Sequence, residues 1–272
     1  MLIDLHVHSM HTENVPFILK ELVERAKKAG LDGLALTDVH SVAGLGEARE
    51  LSKSEGFLVL VGFEAHTTRG HFLVFVPEPE KLPDIHTWLR FDEQNRCSYT
   101  SLFEAVEQLD GVLVAAHPFD RSVPESPGDA VVRLEGVAAV EVLNAGKPDL
   151  SNELAEEVAA GAGLPGTGGS NAHDSLDKMG RYATLVRGPV DCEADLIDSI
   201  RKYDVWPVAI GKPAFPPPKR SRSRPRDDTK RPRPKKDGRA RSRGRGRDRK
   251  PGPSTRRGRQ TTPRGRGKTK KS

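Results

Sequence analysis

The stretch "IDLHVHSMHT", residues 3–12, sets three imidazoles, His6, His8 and His11, within six positions of one another, directly behind an apolar run. On an extended strand residues i and i+2 face the same way, so His6 and His8 can reach one ion together. Later apolar runs carry similar polar residues. Asp38 and His40 follow "GLALT", Glu64 and His66 follow "LVLVGF", and His117 closes "VLVAA". Glu141 and Asn144 end "VEVLN", His71 opens "HFLVFV", and Asn171, His173 and Asp174 close the last run. Imidazole and carboxylate without thiolate suit zinc, manganese or iron, and a carboxylate such as that of Glu64 can bridge two ions. Taken singly, His11 and His86 read as surface or capping residues. Taken together, His6, His8, Glu64, His71, His117 and His173 read as ligands, because polar groups so placed would otherwise be buried without partners.

Such groups, scattered along the chain, need a scaffold that brings strand ends together. The runs "LIDLHV", "DGLALTD", "FLVLVGFE", "GHFLVFV", "GVLVAAH", "VAAVEVLNA" and "LPGTGGSNAHD" alternate with helical segments. In "PFILKELVERAKKAG", Phe17, Leu22, Val23, Ala26 and Ala29 form one face and Lys20, Glu21, Glu24, Lys27 and Lys28 the other, with Pro16 to start the helix and Gly30 to stop it. Further helices are expected in "YTSLFEAVEQLD", "NELAEEVAAGAG" and "CEADLIDSIRKY". This alternation implies an α/β fold with a parallel sheet, and about seven strands favour a closed or nearly closed barrel. In a (β/α) barrel the C-terminal strand ends converge on one rim, where active sites are built.

Composition divides the chain near Gly211. Residues 212–272 hold 26 Lys and Arg against 4 Asp, a net of +22, which leaves 18 basic and 34 acidic residues, a net of −16, in 1–211. The second segment, rich in Pro, Gly, Ser and Arg and without an aromatic residue after Phe215, is expected to be a disordered basic tail that meets RNA or DNA through phosphate contacts. Two cysteines far apart, Cys97 and Cys192, exclude a disulfide framework and fit a reducing cytoplasm. No signal-peptide pattern and no run of about 18 apolar residues is present, so no membrane partner is expected.

With these residues in place, the chain resembles the polymerase and histidinol phosphatase (PHP) family of metal-dependent phosphoesterases. The likeness runs through "DLHVHS", "GLDGLALTDVHSVAGLGEA", "VGFE", "GHFLVF", "VAAHPFDR", "VEVLNA" and "GGSNAHD", over roughly residues 1–205. The resemblance implies a distorted TIM-like (β/α)7 barrel with one to three divalent ions that activate water against a phosphate ester. Carried over residue by residue, it implies a first metal on His6, His8, Glu64 and Asn171, and a second on Glu64, His71 and His117. A third would use position 13, position 39 and His173. Here the chain departs from the family. Position 13 is Glu13 rather than Asp, and "TDH" becomes Thr37-Asp38-Val39 with the histidine one place late at His40. "SDAH" becomes Ser170-Asn171-Ala172-His173. Val39 cannot ligate, His40 is the candidate to rescue that site, and Asn171 offers a neutral carbonyl oxygen in place of a charge.

The expected activity is hydrolysis of phosphate esters of nucleotides or oligonucleotide ends, in the manner of a nucleotide phosphatase or a 5'-to-3' exonuclease. Arg121 in "HPFDR" and Arg181 in "MGRYA" are candidates to clamp phosphate, since a guanidinium can pair with two of its oxygens. Asp38 is the candidate to orient a ligand histidine. A rival reading is a barrel whose altered metal centre is only a remnant, tethered to nucleic acid by its tail. A third keeps the hydrolase but changes the substrate to an amide. The segment 84–99, with Trp88, Arg90 and Phe91, is expected to be either a lid over the pocket or a surface helix.

Overall fold

The computed structural model describes residues 1–211, and the expected tail at 212–272 lies outside the described residues. The elements run β1 (Leu2–Val7), α1 (Leu19–Lys28), β2 (Gly33–Leu36), α2 (Leu45–Glu55), β3 (Leu58–Val61) and β4 (Phe63–Thr67). Next come β5 (Gly70–Phe75), α3 (Ile85–Trp88), α4 (Tyr99–Gln108), β6 (Val112–Ala116), β7 (Val137–Asn144) and α5 (Asp149–Ala162). The chain continues through β8 (Gly166–Gly169), β9 (Tyr182–Val186), α6 (Glu193–Arg201) and β10 (Val205–Ala209). None of these helices is long and apolar enough to cross a membrane.

β1, β2 and β3 pair in parallel, as do β6, β7 and β8. Between the two sets the chain passes from β3 into β4 through Gly62 alone. A Cβ there would lie 2.4 Å from the Val74 carbonyl oxygen and 2.7 Å from the Phe75 ring, so only glycine fits the bend. β3 then pairs with β2, and β4 with β5. Two seams close the ring. Val39 bridges to Glu64, with the His40 N–H donating to the Glu64 carbonyl at 2.9 Å and the Glu64 N–H to that of Asp38 at 3.0 Å. Val7 bridges to Ala172, with the Asn171 N–H donating to the His6 carbonyl at 2.8 Å. Counting β3 and β4 as one bent strand, β1 to β8 circle as the distorted (β/α)7 barrel that the sequence leads one to expect.

The distortion is β5, which runs antiparallel to both neighbours. Only Thr68 and Arg69 separate it from β4, and a two-residue connection reverses the chain instead of crossing over. β9 and β10 were not legible in the apolar pattern. They add to β1 antiparallel, in the order β10-β9-β1.

The barrel interior is filled by Ile3, Leu5, Ala35, Leu60, Leu73, Phe75 and Val114, with Leu196, Ile197 and Ile200 of α6 in the same cluster. Outside, α1 lays Leu19, Leu22, Val23 and Ala26 against Leu34, Leu36 and Val59. Each large side chain so buried contributes about 1.5–3 kcal/mol. α1 begins at Leu19, three residues later than Pro16 suggests, and Gly30 follows it at φ +78°.

Candidate metal centre

A local irregularity in β1 aims the first two histidines. Asp4 sits opposite Leu34 and Val7 opposite Leu36, so β1 carries one extra residue. A bulge of this kind turns neighbouring side chains toward the same side. Leu5 therefore joins the interior core while adjacent His6, and then His8, face the rim cluster. Gly169 of β8 permits the close approach, since a Cβ there would meet the His6 Cβ at 2.7 Å. Asp4, fully buried, accepts from the Ser170 N–H at 2.9 Å and fastens the same corner. Burial raises its carboxyl to about 6.

His117 follows the last residue of β6, and Asn171 and His173 follow β8. His71 differs because it opens its strand; β5 is antiparallel, so its first residues are the ones that reach this rim. The same reversal that departs from the expected parallel sheet thus delivers a ligand.

Glu64 is the hub. Its Oε1 lies 3.0 Å from His71 Nδ1 and 3.2 Å from His117 Nε2. Its Oε2 lies 3.3 Å from His8 Nε2, 3.6 Å from His6 Nε2 and 3.9 Å from His66 Nε2. Oε1 thus faces the pair His71 and His117, and Oε2 the pair His6 and His8, with His66 further off. Three groups have ligand atoms all within 4.8 Å of one another: His6, His8 and Glu64; Glu64, His71 and His117; and His6, His117 and Glu141.

Hydrogen bonding fixes which nitrogens face inward. His6 Nδ1 lies 2.9 Å from Glu141 Oε1, so that nitrogen carries hydrogen. Thr12 gives its hydroxyl hydrogen to Asp38 Oδ1 at 2.7 Å and therefore accepts from His8 Nδ1 at 3.2 Å. The Nε2 atoms of both rings point at each other across 3.1 Å, beside Glu64 Oε2. Two such nitrogens and a carboxylate oxygen meeting at this range need a cation among them, either a proton or a metal ion. The donor set, imidazole and carboxylate, fits a divalent ion of the zinc, manganese or iron type.

The electrostatics agree. Burial depresses His8 despite Glu64, and it carries His71 down to about 4, so His71 is neutral at neutral pH. Burial opposes charging of His6 as well, but Glu141 and then Glu64 outweigh it and lift that imidazole to about 10. Although burial would raise it, Glu64 is held well below the usual carboxylate range by His117 and His6. His6 Nε2 would have to be free of hydrogen to hold a metal ion, so uptake would release a proton.

The expected residues fall into three groups. His6, His8, Glu64, His71 and His117 come together around Glu64, and His8, Glu64, His71, His117, Asn171 and His173 all line one cleft of about 370 Å³. Asp38 lies behind that cluster, accepting from the Ser9 N–H at 2.6 Å, the Ser9 hydroxyl at 2.7 Å and Thr12, and so it orients His8 through Thr12. The others lie elsewhere. Glu13 is exposed and is not part of the cleft wall. His40 does not replace the ligand missing at Val39. At φ +50° its ring turns to Phe91, 4.6 Å between centroids, and its Nε2 donates to the Asn95 carbonyl at 3.1 Å. Arg121 lines a neighbouring groove, and Arg181 lies over the Tyr182 ring at 5.5 Å. The segment 84–99 is neither lid nor plain surface helix. After the short α3, Cys97 bridges back to Thr67 and Phe91, which walls in His40.

Several residues have roles that the sequence does not assign, including Glu141, which the strand-end pattern picks out without giving it a partner. Glu141 is buried in β7, where it holds His6 Nδ1, the His117 N–H at 2.9 Å and Asn144 Nδ2 at 2.8 Å. A carboxylate inside the apolar run "VAAVEVLN" was the available signal. Asp120 stands 3.9 Å from His117 Nδ1 and pairs with Lys147. Lys147 and Lys178, rather than the two arginines, are the cations lining the cleft. Glu141→Gln keeps the volume of the side chain but removes the charge behind His6. Metal affinity, followed by competition with a chelating dye, is expected to fall about 10–100-fold; unchanged affinity would show that Glu141 positions nothing.

Comparison with known proteins bears on this arrangement. Residues 4–122 match the PHP domain model, and residues 149–205 match the PHP-associated model that accompanies it. The chain belongs to the PHP family. An uncharacterised protein of Methanocaldococcus jannaschii is 27% identical to this PHP chain over 152 residues, spanning 52% of this chain and 81% of that one. Solved structures share the PHP fold at lower identity. PsfC from Pseudomonas syringae superposes with a TM-score of 0.55 at 24% identity, covering 77% of this chain and 91% of its own. A candidate metal-dependent phosphoesterase from Bifidobacterium adolescentis gives 0.53 at 20%, covering 73% and 95%. An amidohydrolase from Chromobacterium violaceum with bound sulfate and no metal gives 0.52 at 17%, covering 76% and 97%. The PHP fold of this chain is thus one shared with metal-dependent phosphoesterases and amidohydrolases, and it carries His and Glu clusters able to hold metal.

Proposed function

We propose that this PHP protein is a metal-dependent phosphoesterase that hydrolyses phosphate esters of nucleotides or oligonucleotide ends. The observation that carries the reading is one cleft holding both the Glu64-centred imidazole cluster and two lysines. His6, His8 and Glu64 Oε2 would hold one divalent ion, and Glu64 Oε1, His71 and His117 a second, with Asn171 and His173 on the adjoining wall. Ions bound there would supply an activated water and counter-charge for the phosphoryl oxygens. The chain's own part is positional. Glu141 fixes His6, Thr12 and Asp38 fix His8, and the Asp120 carboxylate stands behind His117. Lys147 and Lys178, now paired with Asp120 and Asp174, are placed to exchange those partners for phosphate oxygens. Hydrolysis joins the water oxygen to phosphorus, breaks the phosphorus–oxygen bond to the alcohol, and leaves the alcohol protonated.

The inward-facing nitrogens favour a working centre over a remnant, because a decayed site has no need of matched tautomers on two histidines. The test is to load the protein with manganese, remove excess ion, and measure metal content beside turnover of a nucleoside monophosphate, a short oligonucleotide and an amide. About two ions per chain and chelator-sensitive release of phosphate or nucleotide are expected. No bound metal, or turnover of the amide alone, overturns the reading.

For residues 212–272 the proposal is charge-driven binding of RNA or DNA. Deleting them is expected to abolish the salt-sensitive part of RNA binding at low ionic strength while leaving mononucleotide turnover nearly unchanged. A large loss of that turnover contradicts the division.

A further inference from the structure

Beside the metal cleft lies a second groove of about 350 Å³, and the two share Asp120 and Val123 in their walls. The partition between them is the loop after β6. Its turns are tight: the Asp120 N–H donates to the His117 carbonyl at 2.9 Å, and Asp120 Oδ1 accepts from the Ser122 N–H at 2.9 Å and its hydroxyl at 2.7 Å. The loop divides its residues between the two sides. His117 and Ser122 line the cleft, Pro118, Phe119 and Arg121 line the groove, and Asp120 and Val123 reach both.

The groove has a distinct chemistry. Phe119, Pro124, Leu150 and Leu154 make an apolar wall, and Leu150 is 58% exposed in the first turn of α5. Polar contacts set that wall in place, since the Ser151 hydroxyl donates to the Phe119 carbonyl at 3.2 Å and that of Ser126 to the Pro118 carbonyl at 2.9 Å. At the same groove stands Arg121, which makes no hydrogen bond or ion pair with any described residue. An apolar face beside an uncommitted guanidinium matches a nucleobase followed by a phosphate.

We propose that this groove is a second substrate subsite, which takes the base of the nucleoside next to the phosphate held at the metal cleft and, on Arg121, the phosphate after it. The preferred substrate is then a nucleic-acid end of at least two nucleotides, not a mononucleotide. This rests on the phosphoesterase reading above and goes further by choosing between its two substrate classes. The apolar wall alone would fit many molecules; the wall it shares with the cleft through Asp120 and Val123, together with the Arg121 guanidinium, favours an occupant bearing regularly spaced phosphates.

The test compares a 5'-phosphorylated dinucleotide with the matching nucleoside 5'-monophosphate on manganese-loaded, full-length protein, in salt sufficient to screen the basic tail. Arg121→Ala is expected to lower the dinucleotide-to-mononucleotide ratio of kcat/KM by about tenfold or more, with Arg121→Lys recovering part of it. A ratio that does not move overturns the subsite. If the native protein turns over neither compound, the phosphoesterase reading has failed, and the groove is judged by equilibrium binding of a dinucleotide phosphorothioate instead. There Arg121→Ala and Leu150→Asp are each expected to weaken binding about tenfold. Unchanged affinity in both variants overturns the subsite independently of turnover.

Discussion

Glu64→Gln is expected to lose bound metal and at least about a thousandfold of phosphoesterase activity, the largest effect of any single substitution in this chain. The reason is the division of one carboxylate between two histidine pairs. Oε1 serves His71 and His117, and Oε2 serves His6 and His8. An amide at this position offers one carbonyl oxygen and one NH2 group, so one pair loses its anionic partner and faces a donor instead. Both sites are weakened, and the pair facing the NH2 group is weakened more. Metal analysis after manganese loading should therefore fall from about two ions per chain to less than one. The backbone of residue 64 closes the barrel through its own N–H and carbonyl, which the substitution leaves alone, so circular dichroism should remain that of the native fold. Native metal content in the variant would remove Glu64 from the centre of this account.

The second large effect is on stability and involves no residue of the cleft wall. Glu193, at the start of α6, has a side chain only 2% exposed; it accepts from the Val61 N–H at 2.7 Å and from Arg49 Nη1 and Nη2 at 2.9 and 3.0 Å. Glu193→Ala leaves the fully buried Val61 amide without an acceptor and parts α2 from α6. Arg49 is 37% exposed and keeps Glu80, so its own share is small. The orphaned amide and the lost buried anion together should cost about 3 kcal/mol. In a domain of this size that is a fall in Tm of about 6–12 °C. Thermal unfolding checks it, with metal content as the control that the centre is intact. A shift below about 2 °C would mean that the loop before α6 relaxes to supply another acceptor.

The strands that carry ligands were legible because each combines an apolar run with a polar residue at its end, a pattern that needs no knowledge of partners. His6, His8, Glu64, His71 and His117 could be read from it. What could not be read depends on backbone direction and on local turns. The reversal at Thr68 and Arg69 is two residues long and leaves the apolar pattern of β5 unchanged. In the loop after β6, whether position 120 or 121 faces the cleft is set by the turn that starts at His117, itself at φ +30°. Arg121 consequently lines the groove, and Lys147, paired with the neighbouring Asp120, lines the cleft. β10 escaped because Pro207 interrupts it, and proline is tolerated there because the strand pairs on one edge with β9. Glu141 is visible at the end of its apolar run, but its role is not, because a carboxylate inside a strand reveals its partners only once the fold brings it to His6 at the rim.

The seam at Val39 and Glu64 also governs how unevenly this centre tolerates drift. Glu13 sits on an exposed loop, and the closing bond at position 39 belongs to the backbone, so replacing either side chain leaves every barrel hydrogen bond standing. Glu64 has no such latitude, for it is clasped between the seam on one side and four imidazoles on the other. Exchange of a loop-borne side chain in this architecture is accordingly expected to spare the scaffold, and exchange of the strand-borne carboxylate to strain it.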